Sequence, residues 1–188
     1  MSTNSETTAS QNLSSYAMES TGDNRTDAQS IQGIMNTQLD NIVIDELLHV
    51  AICADISGTI WNAAVTYKEG NDNSDSSSTK TEYEVAVAID TNTSDVCNTL
   101  NSLIRTEQDD DNLVPVLINW SYSSTGVVLA MVGLAPTSDD SGTYEVLVTT
   151  NFEQSVQQIE SDGGTIIDSC VYAYGMQIDT LILYKSGS

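Results

Sequence analysis

Residues 126–134, GVVLAMVGL, carry apolar side chains at both parities of a two-residue period. A strand alternates its side chains between two faces, so a run without a polar face has to be covered on both sides. This segment therefore predicts the most central strand of the fold. It lies in the longest nearly apolar stretch, residues 127–136, which is far too short to cross a bilayer as a helix.

The segments around it read as shorter strands. Residues 83–90, YEVAVAID, alternate cleanly, with Tyr83, Val85, Val87 and Ile89 on one face. Residues 41–56, 60–67, 113–120, 143–150, 165–174 and 176–184 are further candidates, and Pro115 predicts an edge strand or strand start. Residues 41–48 and 152–160 fit a strand or a short helix equally. One helix is clear: Val96, Leu100, Leu103 and Ile104 form a single stripe. Ser94 or Thr93 is its expected cap, Asp95 sits in its first turn, and Arg105 is placed at its far end. Eight or nine strands with one helix predict an all-β chain, a single jelly-roll barrel or sandwich. An α+β sandwich is the alternative if an ambiguous segment is helical. No internal repeat is legible at a fixed period.

Residues 1–38 differ in composition, being rich in Ser, Thr, Asn and Gln with isolated apolar residues. They predict an extended N-terminal arm ahead of a β domain spanning 39–188. Such an arm gains order by lying across another surface, which points to a partner chain.

The charge sets the environment. Of 188 residues, 27 are acidic and 5 basic, for a net charge of −22. Arg25, Lys68, Lys80, Arg105 and Lys185 make no cationic stripe, which argues against nucleic-acid backbones and anionic membrane surfaces as partners. Mutual repulsion on this scale opposes folding in dilute buffer. It largely disappears at about 1 M salt, where the Debye length is about 3 Å. The composition predicts a protein that works in brine, with salt cations on its surface. The N-terminal sequence shows no basic, then apolar, leader pattern and predicts no signal peptide.

Catalytic signatures are sparse. His49 is the one histidine and reads as a partly buried, hydrogen-bonded strand residue; one histidine with scattered cysteines does not build a usual zinc site. No G-x-S-x-G elbow presents a nucleophile. Asp109–Asp110–Asp111, Asp139–Asp140 and the Asn71 to Asp75 run lack calcium-loop spacing and read as hydrated surface. Gly163–Gly164 is isolated from any phosphate-binding pattern. The sequons at Asn12, Asn24, Asn92 and Asn119 come without an export signal. Cys53, Cys97 and Cys170 have no metal-ligand spacing and lie among apolar neighbours, as buried free thiols do; their odd count leaves one for pairing between chains. Tyrosines near strand ends, such as Tyr122 and Tyr172, suit interfaces as well as cores.

Length, acidity and a strand-rich plan resemble the smaller major capsid protein of haloarchaeal icosahedral viruses with an internal membrane. The resemblance covers most of the chain in outline. It implies an upright jelly roll tiling a shell near the internal membrane, beside copies of itself and a larger related capsid protein. It implies that residues 1–38 run beneath or between capsomers, and it makes Cys53, Cys97 and Cys170 candidates for an interchain disulfide. It carries no catalytic, metal or cofactor residues and no direct nucleic-acid contact. Its setting is the virion, assembled in the host cytoplasm. Two other expectations stand beside it: a neck, tail or decoration protein forming a ring, and a small halophilic enzyme or ligand-binding β domain with a deep pocket.

Overall fold

The computed structural model describes residues 11–70, 82–137, 142–174 and 177–187. Their elements run β1 (Gln11–Glu19), α1 (Asn24–Leu39), β2 (Ile44–Ala54), β3 (Ile60–Glu69), then β4 (Glu84–Asp90), α2 (Thr93–Asp111), β5 (Leu113–Tyr122), β6 (Val128–Pro136). The chain ends with β7 (Tyr144–Thr149), α3 (Phe152–Ser161), β8 (Thr165–Tyr174) and β9 (Gln177–Lys185). This is one order, β-α-β-β, written three times. Each unit forms a three-stranded antiparallel sheet with its last strand in the middle: β1-β3-β2, β4-β6-β5 and β7-β9-β8.

The units correspond residue by residue. Each second strand carries a register shift at a matching place, around Leu48 in β2, Val116 in β5 and Ile167 in β8; β2 has a further one at Asp45. Aligning the three shifts makes Tyr67, Leu134 and Tyr184 equivalent, and with them Leu13, Val85 and Val146 on the first strands. The absence of a legible repeat is thus corrected by the structure. Connections of different length and unlike residues at matching positions remove any fixed period.

The sheets stack in three layers. Ile52, Trp61 and Val65 of the first sheet meet Val85, Val87, Leu129 and Met131 of the second, with α1 closing the side through Ile31 and Met35. Ala88, Trp120, Ala130 and Val132 from the opposite face of the second sheet meet Val146, Leu181 and Leu183 of the third, with α2 closing the side through Leu100 and Ile104. β6 is therefore the middle strand of the middle layer, covered on both faces as its sequence requires. A Cβ at Gly133 would sit 3.0 Å from Val50 Cγ1, so glycine lets the first layer approach.

The predominantly β class is as expected, but the strands form three small sheets where a jelly roll has two larger ones. Helices number three among the described residues, against one expected. The described part of the expected arm, residues 11–38, holds β1 and all but the last residue of α1, and α1 contributes Ala28, Ile31, Met35 and Leu39 to the core. Residues 1–10 lie outside the described residues, as do residues 71–81, with the Asn71 to Asp75 run, and Asp139–Asp140. Residues 44–48 are strand, and 152–160 are helix. Helix α2 is longer than its apolar stripe shows: Asp109, Asp110 and Asp111 are its last turn, followed by Asn112 in the left-handed conformation. Its cap is Asn92, whose side chain accepts from the Ser94 N–H, and Arg105 lies mid-helix at 3.6 Å from Glu145.

Candidate functional site

The joints between layers are made by polar side chains as well as apolar ones. An edge strand leaves backbone groups unpaired, and burying them without partners is costly. On β4, the Val85 N–H donates to Asn36 Oδ1 (2.8 Å) and the Val87 N–H to Gln32 Oε1 (3.1 Å), one helical turn apart on α1. The next joint repeats the arrangement. The Val146 N–H of β7 donates to Asn101 Oδ1 (2.6 Å), and Asn101 Nδ2 donates back to the Val146 carbonyl (3.2 Å). The Val148 N–H reaches the Cys97 sulfur, one turn earlier on α2; burial nevertheless dominates and pushes that thiol up to about 11. Asn36 and Asn101 thus hold equivalent places, and so do Gln32 and Cys97. On the other side, Asn119 Oδ1 accepts from the Ile52 N–H (3.1 Å), and Asp168 Oδ2 from the Ile118 N–H (2.8 Å).

A groove of about 720 Å³ runs between α1 and α2 above the β4 edge. Arg25, Gln29, Gln32, Asn36, Asn98 and Ser102 line it. The acceptor oxygens of Gln32 and Asn36 are already engaged by β4. What the groove offers is amide and hydroxyl groups around an apolar floor, with one cation (Arg25) and one anion (Asp90) on its lining, suited to a polar ligand of no net charge.

Beside it, oxygens of Glu84, Glu107 and Asp111 lie within 4.8 Å of one another. Burial, reinforced by Glu107, Asp111, Asp40 and Glu82, raises Glu84 to about 7. Asn36 Nδ2 donates to Glu84 at 3.0 Å. A proton on Glu84 or a cation from the medium would relieve the crowding.

Asp27 is the most enclosed carboxylate among the described residues. Trp61 Nε1 (2.8 Å), Thr21 Oγ1 (2.6 Å) and Ser20 Oγ (2.9 Å) all donate to it. Burial pushes its pKa up, but these bonds together outweigh burial and hold it below the usual carboxylate value. A second polar cluster joins layers two and three: Tyr122 OH donates to Asp179 (3.1 Å), and Trp120, Tyr122 and Tyr172 pack with ring centroids 5.3–6.4 Å apart.

The residues singled out from sequence are not brought together. Cys53 is exposed on the outer face of the first sheet, Cys97 is buried under β7, and Cys170 is half-buried at 3.6 Å from Asn119 Nδ2. Only Cys53 is open to another chain without unpacking. His49, expected to be partly buried, is exposed, because β2 turns that parity away from the first core. Asn92 and Asn119 serve as a helix cap and a layer joint. Gln32, Asn36 and Asn101 were not legible as site residues in the sequence; the one signal, a polar side chain recurring four residues on beside the apolar stripe of a helix, is carried by Gln32 and Asn36 and not by Asn101, whose counterpart is Cys97.

The two ends of the stack differ from its joints. The face of each sheet that meets the next layer has equivalent positions Ile52, Trp120 and Val171, exposed by 1%, 2% and 61%. A second set, Trp61, Val128 and Ile178, runs 2%, 1% and 61%. The third sheet has no layer beyond it among the described residues, so Val171, Ile178 and Leu147 face outward, with Phe152 of α3 beside them. Among the described residues no helix is long and apolar enough to cross a membrane. Compared with protein-family models, curated proteins and solved structures, the chain finds no match.

Proposed function

We propose that this chain is a structural subunit of a salt-dependent assembly, and that the assembly is the shell of a haloarchaeal virus. The single observation that carries the structural reading is the uncovered end of the layered stack, where positions buried at both internal joints carry apolar side chains into solvent. The viral setting comes from the sequence resemblance. In that setting the chain sits in the virion beside copies of itself and a larger related capsid protein, bears salt cations on its acidic surface and performs no catalysis. The role does not require a jelly roll, because a stack of small sheets presents flat terminal faces suited to tiling.

Salt governs the assembly in this reading. Screening at molar salt lets like-charged surfaces approach, and at about 0.05 M the range of repulsion lengthens to more than 10 Å. Dialysis to low salt is expected to dissociate the assembly before or together with loss of the fold. An assembly indifferent to salt speaks against the proposal. The deciding experiment is mass-resolved electrophoresis of purified particles with and without reductant. Many copies per particle support a shell protein, a few copies in a ring support a neck, tail or decoration role, and absence from particles overturns the viral reading. A reductant-sensitive dimer would place a disulfide at Cys53.

The groove between α1 and α2 favours a second reading, a small ligand-binding domain of a halophile. Soluble neutral polar compounds screened by ligand-observed NMR in brine test it. Binding lost in Asn98→Ala and Ser102→Ala supports this reading, and no binding removes it.

A further inference from the structure

We propose that copies of this chain stack head to tail, with the first sheet and β1 edge of one copy closing the third sheet and α3 of the next. The contact deepens the assembly reading and rests on it for its biological setting, but the molecular argument is the joint that the fold already uses twice.

At each internal joint a helix supplies side chains to the free edge of the following first strand. Gln32 and Asn36 meet Val87 and Val85; Cys97 and Asn101 meet Val148 and Val146. Register alignment makes Ser15 and Leu13 the equivalents on β1. Among the described residues sheet 1 has no strand beyond β1, and Leu13 is 65% exposed. The complementary helix is α3. Counted from the N-caps of α2 and α3, Asn92 and Asn151, Cys97 and Asn101 correspond to Val156 and Glu160; in α1, capped by Asp23, the strand is met one turn later, by Gln32 and Asn36. Glu160 is exposed and has carboxylate oxygens with which to accept from a strand N–H. On the third sheet two of the positions that are buried in layers one and two, Val171 and Ile178, are still apolar and bare, while Thr180 and Ile182 on the same face are buried. Facing them in the next copy would be the outer face of sheet 1, where Ser15, Ala17, Ala51, Cys53 and Ala64 line a shallow trough of about 230 Å³.

The equivalents on that outer face are smaller and more polar than in the middle layer: Ser15 for Val87, Ala17 for Ile89, Asn62 for Leu129, Ala64 for Met131. An isolated copy can therefore keep this face in water, and the contact is weaker than the internal joints. Because the two surfaces differ, the contact is heterologous. Successive copies build an open stack or a closed ring according to the rotation per step.

The test uses the full chain in about 3 M salt, followed by sedimentation velocity across about 10 μM to 1 mM, the span of weak specific contacts. Wild type is expected to grow in mass with concentration. Val171→Asp blocks the leading face and Cys53→Asp the trailing face, so that the two altered faces repel each other as well; both sites are exposed, so circular dichroism and melting should stay as in wild type. Each variant alone should bind itself at least about tenfold more weakly, as loss of a contact at the centre of an interface does. Mixed, the two should recover a single dimer and nothing larger, because each retains one complementary face. That complementation separates head-to-tail stacking from a symmetric dimer. A wild type that stays monomeric throughout the range, association untouched by either substitution, or no recovery on mixing overturns the proposal. The viral reading stands or falls separately, on the copy number in particles.

Discussion

The middle and last layers share an architecture and differ in surroundings. Trp120 and Val171 hold the same position on β5 and β8, yet one is enclosed and the other bare. The last sheet is still well packed on its inner face, where Leu181 and Leu183 are fully buried. A position's energetic weight in a stacked repeat is set by the neighbouring unit, as nearest-neighbour coupling requires. The residue's own strand propensity decides little.

The largest test of this contrast is truncation at the shared position. Trp120→Ala is expected to cost about 3–5 kcal/mol in denaturant unfolding, from lost burial and a cavity between layers. Val171→Ala should stay within about 0.5 kcal/mol, because solvent already occupies its surroundings. Equal losses would break the comparison. Asp27→Asn comes next, at about 2–3 kcal/mol, because it weakens charge-assisted bonds from Trp61, Thr21 and Ser20. The folded pKa of Asp27 lies below its ordinary value. Its contribution is therefore present above the usual carboxylate range and fades as pH falls through the folded pKa. The gap between wild type and variant should narrow accordingly in acid melts.

Asn101→Ala should cost about 1–2 kcal/mol by leaving both Val146 backbone groups of β7 unpaired. Hydrogen exchange should quicken at Val146 ahead of Val85, since the first joint keeps Asn36; uniform quickening would mean that the layers open as one. The smallest effect is at Glu84. With its pKa raised to about 7, stability is complete below the ordinary carboxylate range and is lost as pH rises through about 7. Glu84→Gln should therefore raise the melting temperature by a few degrees at pH 8 and leave it unchanged at pH 4, with brine reducing the gain.

Legibility in the sequence followed how one-sided each element's neighbours are. β4, β6 and the apolar stripe of α2 announce themselves because their apolar residues fall at strict periods. α1 stayed hidden, although Ala28, Ile31, Met35 and Leu39 recur on one face, because Ser, Gln, Asn and Thr fill the turns between them. Those amides proved to be joint residues, and their polarity is what disguised the helix as an arm. In α3 Ser155, Val156 and Ile159 are diluted in the same way, and the face is only half covered. The acidic Asp109–Asp111 run looked like a loop because three aspartates at a helix C-terminus oppose the dipole. The candidate cysteines gave no geometry, since spacing along the chain carries no information about which layer each joins.

The shared irregularity in β2, β5 and β8 has a bearing on solubility. All three are edge strands. A flat edge strand recruits strands from other molecules, and most proteins discourage this partly with charge. In brine that defence is muted, since repulsion dies within a few ångströms. A bulge twists the strand and breaks the even spacing of its backbone groups, a safeguard independent of ionic strength. Repeated at Leu48, Val116 and Ile167, it would guard these edges against indiscriminate strand pairing whatever the salt concentration.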